Sequence, residues 1–209
     1  AQSEILGLAD SETRGLCDGL RLGYTESKGL PLLMREIASL YPGVDPEQVF
    51  VAAPQELIHL AMDALLKEGD HVLCTCPGYQ SLYEIAQSLG CEVERWQPIE
   101  SEGWRFDVER LARMIRPNTK LVVVNFPHNP TGYLPPVKDF ERVVELVKAR
   151  GIHLFSDEMY RLLELDPKDC LPSTCELYDK AVALSGMSKA FGLAGVRIDP
   201  VLVSQRQVS

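Results

Sequence analysis

Three short segments hold the side chains whose chemistry stands out. After the apolar run Leu121–Asn125 comes Phe126-Pro127-His128-Asn129-Pro130-Thr131-Gly132. After Ile152–Ser156 come Asp157, Glu158, Met159 and Tyr160. After Ala181–Ser185 comes Gly186-Met187-Ser188-Lys189, followed at a short distance by Arg197. A lysine amine forms Schiff bases. A carboxylate favours a charged partner beside it, and an arginine suits bidentate contact with a phosphate. Each piece alone is weak. An Asp at a strand end is a common helix cap, a lone Lys is usually a solvated charge, and N-P-x-G is a good turn whatever else it does. Their shared place, directly after apolar runs, is the signal.

Those runs have the length and β-branched content of buried strands. The pattern predicts strands at Val49–Ala52, His71–Thr75, Cys91–Trp96, Leu121–Asn125, Ile152–Ser156 and Ala181–Ser185. Helical spacing predicts helices over Leu30–Leu40, Gln55–Lys67, Tyr79–Leu89, Val108–Ile115 and Phe140–Arg150, the last opening near Val137 after Pro135-Pro136. Gly69, Gly90 and Gly151 mark helix ends and Asp107 an N-cap. Asp166–Thr174 reads as a polar surface loop. Strand–helix alternation implies a doubly wound, mostly parallel sheet with right-handed crossovers. In such sheets ligands sit beyond the carboxyl ends of the strands, where these residues lie.

Composition narrows the function classes. The chain has 209 residues, 45% hydrophobic and 24% charged, with a net charge of −9. That is globular composition. The acidic balance argues against a nucleic-acid or anionic-membrane surface, though it leaves room for a local anion site. The cysteines (Cys17, Cys74, Cys76, Cys91, Cys170 and Cys175) are too few for a disulfide scaffold and read as free thiols in a reducing, cytoplasmic compartment. Cys74 and Cys76 are expected on opposite faces of their strand. The four histidines are too scattered for a metal site. His59 and His153 are expected to pack, Glu158 to be structural, and His128 carries no assigned role.

Taken together and in order, the segments resemble the fold-type-I pyridoxal-phosphate enzymes, specifically the class I/II aminotransferase family. The matching pieces are Tyr24 with Gly29, Pro77-Gly78-Tyr79, Asn129-Pro130-Thr131-Gly132, Asp157-Glu158-x-Tyr160, and Ser188-Lys189 with Arg197. The resemblance implies an α/β large domain with a seven-stranded-type sheet and helices on both faces. It also implies pyridoxal 5'-phosphate as cofactor, amino acid and 2-oxo acid substrates, and a homodimer. By the same resemblance, Lys189 holds the cofactor aldehyde as an imine and moves the substrate proton. Asp157 faces the ring nitrogen and keeps it protonated. Asn129 and Tyr160 bond the phenolic oxygen, and Tyr79 stacks on the ring. Ala53, Gln55, Ser188 and Arg197 hold the phosphate, with helix-start N–H groups contributing. Tyr24 reaches the phosphate of the neighbouring subunit.

The pattern also departs from the family. Gly186 stands where the family usually has Ser or Thr, and Ser185 is the expected substitute. After Arg197 the family usually continues with a small residue and Gly-Trp, whereas this chain reads Ile198-Asp199-Pro200. Asp-Pro is a poor start for a central strand, so a strand is expected only over Val201–Val203. The reading divides the chain into a partial N-terminal segment, 1–29, and a cofactor-binding large domain, 30–209, cut before a C-terminal small domain. The alternatives are a truncated, weakly active or non-catalytic cofactor-binding chain that pairs with a full-length subunit, or another fold-type-I enzyme such as a C–S lyase or a synthase.

Overall fold

The computed structural model describes Gly15, Gly23, Tyr24 and residues 26–196 and 198–203. Seven strands form one sheet: β1 (Val49–Ala52), β2 (His71–Thr75), β3 (Glu92–Trp96), β4 (Thr119–Asn125), β5 (His153–Asp157), β6 (Ala181–Leu184) and β7 (Asp199–Val203). Their order across the sheet is β1-β7-β6-β5-β4-β2-β3. β7 runs antiparallel to both of its neighbours, and the pairings from β6 to β3 are all parallel. The α-helices that lie wholly within the described residues are α1 (Pro31–Ser39), α2 (Pro54–Leu65), α3 (Ser81–Ser88), α4 (Val108–Met114), α5 (Val137–Ala149) and the short α6 (Thr174–Leu177).

The central strands β2, β4, β5 and β6 are mostly apolar because both faces are covered, and successive side chains take opposite faces, whereas β3 at the sheet edge reads Glu-Val-Glu-Arg-Trp and is partly exposed. Val122 and Val124 of β4 pack with Leu73, Leu154, α4 and α5. Leu121 and Val123 pack with Val72, Phe155, α2 and α3 on the other face. A smaller cluster seats Met34, Ile37 and Ala38 of α1 on Val49, Ala183 and Leu202. The predicted punctuation is present. Gly90 and Gly151 follow α3 and α5 in the left-handed region, with φ of 81° and 67°. Asp107 caps α4 by accepting from the Glu109 N–H at 3.0 Å.

Some expectations change. β7 begins at Asp199 and contains Pro200 although it lies between β1 and β6. The proline sits one residue into the strand, and its carbonyl still accepts from the Ser185 N–H at 3.0 Å. Asp166–Thr174 is not wholly loop: it holds a 3-10 turn at Pro167–Asp169 and opens α6. His59 is exposed rather than packed. Cys74 and Cys76 do not point to opposite faces. Residues two apart on a strand share a face, and the interaction between these neighbouring thiols holds Cys74 well up and draws Cys76 down. Cys74, Cys76, Cys91, Cys170 and Cys175 are free thiols, and Cys17 lies outside the described residues. Among the described residues no helix is long and apolar enough to cross a membrane, and no cluster of three or more His, Cys, Asp or Glu could hold a metal ion.

Candidate active site

Parallel strands deliver their carboxyl ends to one edge of the sheet. The ends of β4, β5 and β6 and the N-terminus of α2 surround a cavity of about 210 Å³ there, lined by Tyr79, Asn129, Asp157, Tyr160, Ser188 and Lys189 among others. The other walls include Pro54 and Ile58 of α2, Met159 and Leu184. An amine, a carboxylate, an amide, two phenols and a hydroxyl thus face one space with apolar walls. The Lys189 ammonium lies 5.8 Å from the centroid of the Tyr160 ring, within cation–π range. A larger cavity of about 490 Å³ adjoins the first and shares Asn129 and Tyr160 as walls.

Asp157 is the last residue of β5 and only 5% exposed. Burial disfavours its charged form and pushes its pKa up to about 7. The Met159 N–H, donating to Oδ1 at 3.1 Å, opposes that shift, while the nearby carboxyls of Glu158 and Asp199 reinforce it. A half-protonated buried carboxyl facing a cavity is a receptor for a cation. Glu158 points elsewhere. Its Oε1 accepts from the Thr174 N–H at 3.0 Å and from the Ser173 and Thr174 hydroxyls at 3.2 Å, anchoring β5 to the start of α6.

Two residues with no site role assigned from sequence support the cavity wall. Asn125, at the end of β4, donates from Nδ2 to the Asp157 carbonyl at 3.0 Å and accepts the Asn129 N–H on Oδ1 at 2.8 Å. His128 bonds both Thr131 and the Pro77 carbonyl. The strand-end position of Asn125 was the only hint in the sequence. For His128 there was only its place beside Asn129.

The lysine loop explains the departures at 186 and 199. Asp199 is fully buried, and the Ser188 hydroxyl lies 3.5 Å from both of its carboxylate oxygens. A Cβ on Gly186 would overlap the Asp199 carboxylate and the Met159 thioether. The glycine at 186 therefore makes room for the aspartate at 199, and each unusual residue accommodates the other. Ser185 does not stand in for the missing hydroxyl at the cavity. It lines a different hollow with Tyr41, Arg161 and Leu33. Gly186→Ala is expected to lower stability by about 1–3 kcal/mol through overpacking. Urea denaturation measures this, and an unchanged midpoint would contradict the steric account.

The remaining expected residues are placed less completely. Ala53 is the N-cap of α2 and Pro54 its first residue, so the helix start meets the cavity through Pro54. Gln55, next along, has an exposed side chain, so only its backbone N–H is a candidate donor. Tyr24 is fully exposed and is not brought to the cavity. Arg197 lies outside the described residues. The donor set fits a phosphorylated pyridine aldehyde: an amine for the aldehyde, a buried carboxyl of raised pKa for a cationic ring nitrogen, and polar groups for the phenolic oxygen.

Comparison with known proteins places the chain as a whole. A family model described as aminotransferase class I and II matches residues 10–209. Arginine–pyruvate transaminase AruH of Pseudomonas aeruginosa is 31% identical over 183 residues, which cover 84% of this chain and 46% of that protein. Aspartate/prephenate aminotransferase of Thermus thermophilus is 31% identical over 196 residues, covering 90% and 50%. A solved structure of a PLP-dependent aminotransferase from Streptococcus suis superposes with a TM-score of 0.89 at 34% identity, covering 100% of this chain and 56% of that one. The chain spans about half the length of the curated relatives it matches.

Proposed function

The chain belongs to the class I and II aminotransferase family, and we propose on that premise that its protein moves an amino group from an amino acid to a 2-oxo acid with pyridoxal 5'-phosphate as cofactor. The observation that carries this reading is the single cavity of about 210 Å³ onto which Lys189, Asp157, Asn129, Tyr160, Tyr79 and Ser188 converge. When bound, the cofactor supplies an aldehyde for amine exchange and a protonated ring that accepts electrons. Lys189 would anchor the cofactor through its aldehyde, and its amine would carry the substrate Cα proton. Asp157 would hold the cofactor through its ring nitrogen and favour the protonated form there. Asn129 and Tyr160 would bond its phenolic oxygen, and Tyr79 would pack on its ring.

The phosphate falls to the N-terminus of α2, where the Ala53 and Gln55 N–H groups are the donors because Pro54 has none. Ser188 and Arg197 complete that site in this reading. Residues 30–209 act as the cofactor-binding large domain, preceded by the segment 1–29. Tyr24, exposed here, serves the phosphate site of a second subunit in a homodimer. Five free cysteines accord with a cytoplasmic location. The test is a half-reaction: the protein loaded with pyridoxal phosphate is mixed with single amino acids and its visible spectrum followed. Conversion of the cofactor to its amine form by at least one amino acid, reversed by a 2-oxo acid, is the expected result. A spectrum unmoved by every amino acid in a full-length protein would overturn the transaminase reading.

A further inference from the structure

We infer that His128 is a positioning residue that locks the loop carrying Tyr79 to the turn carrying Asn129, and so sets the width of the cofactor cavity. The Pro77 carbonyl can only accept, so the His128 Nε2 at 2.8 Å must carry a proton and donate it. On the other side of the ring, the Thr131 hydroxyl accepts the Tyr133 N–H at 3.2 Å. That leaves the hydroxyl proton free to be donated to His128 Nδ1 at 2.7 Å. A neutral imidazole protonated on Nε2 satisfies all of these groups at once.

The surroundings favour that state. His128 is 2% exposed, and the edge of Phe106 packs on it at 4.8 Å between ring centroids. Burial draws its pKa down, which keeps the ring neutral. The backbone of His128 is stitched into its own turn, donating to the Tyr133 carbonyl at 2.9 Å and accepting from the Gly132 N–H at 2.7 Å. The adjacent Asn129 N–H is fixed by Asn125. The imidazole is therefore a rigid post on the Asn129 side with one arm reaching the Tyr79 side.

The two sides also come close. A Cβ on Gly78 would sit 3.2 Å from the Thr75 carbonyl and 3.9 Å from that of Asn129. Tyr79 itself is 45% exposed, so packing alone holds its ring weakly. The bond from His128 to Pro77 ties down the segment immediately before it. The consequence for cofactor binding rests on the aminotransferase reading; the positioning itself does not.

Two variants separate the roles. His128→Gln keeps one donor for Pro77 and one acceptor for Thr131, whereas His128→Phe fills the volume with neither. In cofactor-free protein, amide hydrogen exchange of residues 78–83 should rise at least about tenfold in His128→Phe and stay near wild type in His128→Gln. The ¹⁵N NMR signals of the wild-type ring should report an Nε2–H tautomer. Pyridoxal phosphate should bind at least about tenfold more weakly to His128→Phe, and that loss should vanish in a Tyr79→Ala background because the two act as one unit. Unchanged exchange in His128→Phe, or an Nδ1–H tautomer, would overturn the proposal. If the phenylalanine variant does not fold, the tautomer and the glutamine variant decide, with raised exchange in the latter counting against it. Wild-type protein that shows the exchange effect but binds no pyridoxal phosphate would refute the functional reading and leave the positioning intact.

Discussion

Lys189→Ala is expected to remove the visible absorbance of bound pyridoxal phosphate and to end amino-group transfer. The physical reason is that no second amine can take over. Among the described residues lining the 210 Å³ cavity, Lys189 carries the only amine. The others are phenols, an amide, a hydroxyl, a carboxyl and apolar groups, none of which forms a stable imine with an aldehyde. Removing a residue that acts both as covalent anchor and as proton carrier should cost more in rate than the roughly 10²–10⁴ of general acid–base catalysis alone. Borohydride reduction of the loaded protein followed by peptide mapping checks the assignment directly. The reduced cofactor should appear on the peptide that contains Lys189. Its recovery on another lysine, or wild-type absorbance in Lys189→Ala, would defeat the assignment. The cavity walls formed by Asp157 and Tyr160 do not depend on the lysine, so the variant should fold normally.

Asp157→Asn has the second large effect, and its sign depends on whether the cofactor is present. In cofactor-free protein the carboxyl titrates at about 7 when folded, against the ordinary 3.8. Between those values the folded chain holds a proton that the unfolded chain has released. The stability this contributes is full below about pH 4 and is lost as pH rises through about 7. At about 1.4 kcal/mol per pH unit, the difference approaches 4 kcal/mol as a ceiling. Asparagine keeps an oxygen for the Met159 N–H but carries no ionisable group. Cofactor-free Asp157→Asn should therefore match wild type near pH 4 and exceed its stability above pH 7. Urea midpoints measured across pH test this, and parallel curves would refute it. With the cofactor in place the order reverses. A cationic ring nitrogen rewards the ionised carboxylate, and its loss should slow transfer by roughly 10²–10³, as for removal of one preorganised electrostatic partner.

The sequence by itself determined the sheet, its helices and the polar groups at its edge. The reason is local. Buried parallel strands need unbroken apolar runs, so β2, β4, β5 and β6 announce themselves, and whatever follows such a run lies where ligands bind. Lys189, Asp157, Asn129, Tyr160 and Ser188 stand out for that reason, the family resemblance adds Tyr79 and the role of each, and all six line one cavity. The tertiary structure alone decided what depends on partners distant in the chain. His128 reaches a carbonyl 51 residues earlier, and Asn125 bonds Asp157 across the sheet, 32 residues away. Side-chain type does not encode such partners. The same holds for the reversed strand β7: Asp-Pro reads as a poor strand start until Gly186 is seen to clear the space that Asp199 fills. Ser185 offered a hydroxyl at a plausible spacing, but the path of the chain leaving β6 puts it in the hollow it shares with Tyr41. Chemical identity is written residue by residue, whereas orientation is settled only when packed elements compete for the same few ångströms.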